Sequence, residues 1–152
     1  MKSFLLYLFT SISFYSFAQV PTAMPPEANA FYSNAINNIK PEIRDLVRKN
    51  AGNLKSNNAD SLVKALKKNS QLANYKSAEL EAVAVLIMIQ ASKNADADLK
   101  QLVLARAKNN SVTATEERSK TILNYKSNMA ESISVLMQKL APHTETLINN
   151  LR

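Results

Sequence analysis

The sequence predicts an all-α fold: a small antiparallel bundle of about five helices, with a kinked first helix and a long C-terminal helix. Three observations predict it. The 152-residue chain holds a single glycine and five prolines, so long stretches carry no helix breaker. Apolar residues recur at spacings of three and four along most of residues 27–152. Ala, Leu, Lys, Asn and Ser fill the intervening positions, and β-branched runs are scarce.

The N-terminal segment reads as an address. Lys2 supplies a positive charge, Phe4 to Phe17 is apolar apart from small hydroxyl residues, and Ser16 and Ala18 place small residues before a cut at Gln19. That is the layout of a secretory signal peptide over residues 1–18. The apolar run is shorter than the ~20 residues a spanning helix needs, so no transmembrane segment is expected after cleavage. The expected product is exported, to a periplasm or the medium. Cleavage leaves 134 residues with a net charge of +6. Residues 19–26 contain three of the five prolines and read as a flexible leader; residues 27–152 read as one helical domain.

The first helix is expected over about Glu27 to Asn50, with Phe31, Ile36, Ile39, Ile43, Leu46 and Val47 on its apolar face. Pro41 lies inside it, lacks an N–H and clashes with the preceding turn. The helix should therefore kink, or break near Lys40 with Pro41 opening a second piece. Gly52 is its stop. A second helix spans about Ala59 to Gln71, capped by Asn58, with Leu62, Val63 and Leu66 inward. A third follows Ser77 as N-cap, with Glu79 and Glu81 near its positive end, and runs to about Asn94. A fourth spans about Asp96 to Asn109, with Leu99, Leu102, Val103 and Arg106 sharing a face.

The fifth opens on Thr113 and Glu116 as a capping box. Its stripe of Ile122, Tyr125, Met129, Ile133, Leu136 and Leu140 is a near-heptad, coiled-coil-like seam. Pro142 ends it, and Leu147, Ile148 and Leu151 suggest a short terminal helix. Asn74-Tyr-Lys-Ser77 recurs as Asn124-Tyr-Lys-Ser127, a weak sign of duplication in so biased a composition.

The chemistry the sequence can carry is limited. There is no cysteine, so disulfides, thiolate metal sites and cysteine nucleophiles are out. One glycine excludes a Gly-rich phosphate loop. His143 is the lone histidine, with no arranged nucleophile beside it, and reads as a surface or capping residue. Asn94, Asp96 and Asp98 resemble the start of a calcium loop, but the required glycine and glutamate positions hold Leu99 and Ala105. No catalytic residue, cofactor or metal is expected.

Two binding features remain. Residues 82–89 are apolar around the whole circumference, which fits a central bundle helix. The same run could instead leave Leu86, Met88 or Ile89 outward as a partner or self-association interface. Lys40, Arg44 and Arg48 share one helix face, and Lys64, Lys67 and Lys68 another; both could meet an anionic surface or polymer. Nucleic acid is not expected, since only Phe31, Tyr32, Tyr75 and Tyr125 survive cleavage to stack on bases. The leading functional expectation is a non-enzymatic exported helical protein acting by protein–protein binding or self-association, as adaptor, chaperone-like or structural component. The alternative is an electrostatic binder of anionic surfaces.

Overall fold

A computed structural model describes residues 23–54, 58–109 and 112–152; the expected signal peptide, residues 1–18, lies outside the described residues. The described residues are all-α, with six α-helices and two single-turn 3₁₀ helices. The helices are α1 (Pro26–Asn38), α2 (Pro41–Gly52), α3 (Ala59–Lys67), α4 (Ser77–Asn109), α5 (Val112–Leu140) and α6 (Thr144–Asn150). The 3₁₀ turns are Ser70–Leu72, before α4, and Ala141–His143, before α6.

The first helix does break where Pro41 stands. Ile39 is extended, and Pro41 opens α2 at its first position, where a missing N–H costs nothing. The break is tied down: the Lys40 N–H donates to the Leu151 carbonyl at 2.8 Å, joining it to the far end of the chain. Gly52 is the last residue of α2, and Asn53 is its C-cap. α1 begins at Pro26, and Met24 packs against the core. Asn58 caps α3 as expected, its side chain accepting from the Ser61 N–H at 3.0 Å. α3 stops at Lys67, short of Gln71, because Asn69 caps the 3₁₀ turn through the Gln71 N–H.

The main correction concerns the third and fourth expected helices, which are one helix of 33 residues. Asn and Asp favour helix ends because their side chains compete for backbone groups. Here those side chains are engaged elsewhere. Asn94 accepts from Gln90 at 3.0 Å, and Asp96 pairs with Lys126 of α5. With neither Gly nor Pro in α4, the backbone continues. Ser77 is its first residue rather than its cap, and Glu79 reaches back to the Lys76 N–H at 2.7 Å. Likewise α5 starts at Val112, so Thr113 is its second residue and not the expected cap; the capping-box side chain of Thr113 lies outside the described residues.

α4 organises the fold. It touches each of the other five α-helices. Its first half is enclosed: every residue from Glu79 to Ile89 is buried, and Ala82 to Ile89 are fully so. The seam of α5 packs along it, with Met129, Ile133, Leu136 and Leu140 buried and Ile122 and Tyr125 half-buried. The two helices run antiparallel, as the pairs Glu81–Lys139 and Asp96–Lys126 show. Phe31, Ile39, Ile43, Val47, Leu66 and Leu72 close the core from the other sides.

Among the described residues, no helix is long and apolar enough to cross a membrane. The Asn74 echo is not a structural repeat, since its first copy is a turn leading into α4 and its second lies within α5.

Candidate functional site

Helix length creates the feature that sets this molecule apart. α1, α2 and α3 have 13, 12 and 9 residues, whereas α4 and α5 have 33 and 29. At 1.5 Å per residue the short helices can cover only the first half of α4. Beyond Ala95, no described side chain of α4 is buried. Among the described side chains, none in 96–105 or 115–128 is buried. Residues 96–109 and 112–128 therefore form a two-helix arm standing off a six-helix head. From Asp96 to Asn109 the arm rises about 20 Å.

The arm is tied at its root. Lys126 pairs with Asp96, and the Tyr125 hydroxyl donates to the Leu54 carbonyl at 3.0 Å. Burial in this junction holds the Tyr125 hydroxyl pKa above its usual value. Farther out the seam between the helices thins. α5 offers Ser119, whose hydroxyl bonds the Thr115 carbonyl of its own helix. Opposite it, Val103 is 59% exposed and Leu104 51% exposed, while Leu99 and Leu102 are half-covered. Two adjacent residues lie about 100° apart around a helix, so these apolar side chains spread over a broad flank.

The structure corrects the expected interface. Leu86, Met88 and Ile89 are fully buried inside the chain, within the core that α4 builds with the other helices. They offer nothing to a partner. The expected seam of α5 is also consumed within the chain. The apolar surface left over lies elsewhere, at Val103 and Leu104. Val135, 64% exposed on the head, stands singly and is ordinary for a surface.

The basic residues divide. Lys40 lies 6.0 Å from the centre of the Tyr75 ring. The Arg44 guanidinium donates to the Ile39 carbonyl at 3.2 Å, and its Nε is buried. Arg48 is close enough to Tyr32 to favour its ionised form, although burial still raises that hydroxyl's pKa on balance. The Lys93 ammonium sits 4.8 Å over the same ring. The α2 stripe is thus half committed to the protein's own aromatics and carbonyls. Lys64 and Lys67 on α3, and Lys68 at its C-cap, are exposed.

Two open clefts flank α6. The larger, about 660 Å³, runs between α1, α5 and α6 over Phe31, Met137 and Ile148. The other, about 380 Å³, holds His143 with Glu79, Glu81 and Lys139. Its carboxylates are engaged in holding helices together. Glu79 accepts from Asn150 at 2.8 Å as well as from the Lys76 N–H, and Glu81 accepts from Lys139 at 2.6 Å. His143 itself is exposed. Among the described residues, no group of three His, Asp or Glu could hold a metal ion.

Compared with known proteins, the chain matches no family model, no curated protein and no solved structure.

Proposed function

We propose that this is an exported, non-enzymatic helical protein that works by protein–protein contact or self-association, and that the contact is made by the α4–α5 arm. One observation carries this reading: a hairpin about 20 Å long leaves the head with its apolar residues uncovered, Val103 and Leu104 foremost. Two helices alone enclose little surface, and the Ser and Thr positions of α5 make this seam weaker still. An added surface along the arm would supply the missing layer. The signal-like residues 1–18 support export, and the absence of cysteine means that helix packing or assembly must stabilise the exported chain.

The test is a photo-reactive side chain placed at Leu104 and, as a control, at Val135, both exposed. Cross-linked products in the native envelope or medium are expected from position 104 and not from 135. Equal yields from both sites, or none from 104, would remove the arm as the contact. Export is checked separately by the N-terminal sequence of the mature protein, expected to begin at Gln19.

The anionic-surface reading keeps a narrower footing, the exposed α3 trio Lys64, Lys67 and Lys68. It predicts binding to acidic vesicles that fades as salt is raised. No binding at low salt would eliminate it.

A further inference from the structure

We propose that the cleft between the start of α4, the end of α5 and α6 binds a small primary amine as its ammonium ion, held by Glu81. This goes beyond the contact surface proposed above and does not rest on it. Glu81 lines the cleft and is more than nine-tenths buried. Its Oε1 accepts from the Lys139 ammonium at 2.6 Å, whereas its Oε2 is buried without a hydrogen-bond partner. A buried carboxylate oxygen in that state costs stability, and a charged donor that reached it would recover the loss. Glu79, equally buried beside it, accepts from two uncharged donors, the Lys76 N–H and the Asn150 side chain. Among the described residues, the ammonium bonded to this pair of carboxylates is that of Lys139.

Lys139 shows what Glu81 accepts: a primary ammonium on a flexible apolar stem. It also shows how a ligand enters. The Lys139 side chain is 65% exposed, so its ammonium can turn out to water at small cost and leave Glu81 open. A primary ammonium carries three donors, enough to bridge both oxygens of that carboxylate. Leu140 and Leu147 provide apolar wall for a short alkyl body. At about 380 Å³ the space is that of a small-molecule site. Lys76 stands exposed at the rim, which disfavours a second positive charge on the ligand and selects a monoamine. A metal ion is the poorer candidate, since no group of three His, Asp or Glu among the described residues could hold one.

Titration of the purified full-length protein with n-butylammonium chloride, followed by amide chemical shifts, tests the proposal. Saturable shifts are expected at the start of α4 and in α6, with a Kd of about 1 mM for so small a ligand. Tetramethylammonium at equal ionic strength should give none, because it has no N–H to donate. Glu81→Gln should weaken n-butylammonium binding at least about 10-fold. Lys139→Ala should tighten it several-fold, by removing the competing ammonium, and carries the test alone if Glu81→Gln does not fold. Nα-acetyl-lysine amide presents the same ammonium on a peptide and should bind no better than n-butylammonium. Absence of saturable shifts, equal response to tetramethylammonium, or weaker binding in Lys139→Ala would overturn the proposal. Binding of the lysine amide about 10-fold tighter would also overturn it, by assigning the cleft to a protein's lysine instead of a free amine.

Discussion

The two halves of α4 are continuous in backbone and opposite in circumstance. From Glu79 to Ile89 every side chain is buried. From Asp96 outward, no described side chain of α4 is buried. The local sequences are both helix-forming and both contain Leu and Val. What separates them is the length of their neighbours. A helix in water gains most of its stability from packing its apolar face, so the head half is held by its surroundings and the arm half by little beyond α5. One helix thus joins an enclosed core to an exposed arm.

The sharpest way to break this contrast is to truncate leucines on both sides of it. Leu86→Ala in the head should cost about 2–5 kcal/mol, because the cavity it leaves is enclosed. Leu104→Ala in the arm should lie within about 0.5 kcal/mol in dilute solution. Urea denaturation measures both. Equal losses would mean that the arm is as enclosed as the head.

The two inter-helix ion pairs repeat the comparison at smaller scale. Lys139 bonds Glu81, whose side chain is 10% exposed, whereas Lys126 bonds Asp96, whose side chain is 55% exposed. Lys139→Met strands a buried carboxylate and should cost about 1–3 kcal/mol. Lys126→Met should cost under about 1 kcal/mol, since water replaces the lost partner. Reversal of that order would place the tight end of the α4–α5 pairing in the arm.

Helix caps and tyrosines give the finest tests. Asn58→Ala removes the α3 cap and should cost about 1 kcal/mol of head stability without altering the arm. Tyr32 in the head and Tyr125 at the junction both have raised hydroxyl pKa values, from burial first. A group whose folded pKa is raised adds stability below its unfolded pKa and loses it as pH rises through the folded one. Stability should therefore fall above about pH 10, and less steeply in Tyr32→Phe and Tyr125→Phe variants. An unchanged slope in both would contradict the burial assigned to these hydroxyls.

The head was largely legible from residue order. Pro41 marked the break, Asn58 marked the cap, and the α5 spacing picked out Met129, Ile133, Leu136 and Leu140, all buried. The arm was not, and the reason is one misplaced boundary. Asn94, Asp96 and Asp98 look like a helix end, and two helices of ordinary length leave nothing to project. Whether their side chains cap a backbone or meet Gln90 and Lys126 depends on where α5 lies, which local sequence does not encode. The absence of Gly and Pro from residue 77 to 109 was the available signal. Read as one helix, it would have outrun α1, α2 and α3 and implied an arm. The expected interface at Leu86, Met88 and Ile89 failed for a related reason. An all-round apolar segment marks enclosure, and in this chain five of its own helices provide it.

Amide hydrogen exchange on the protein at low micromolar concentration tests the contrast most directly, because it reads every turn of α4 in one experiment. Backbone amides between Glu79 and Ser92 should exchange only through global unfolding, while those from Leu99 onward exchange orders of magnitude faster through local opening. Uniform protection along α4 would contradict the account.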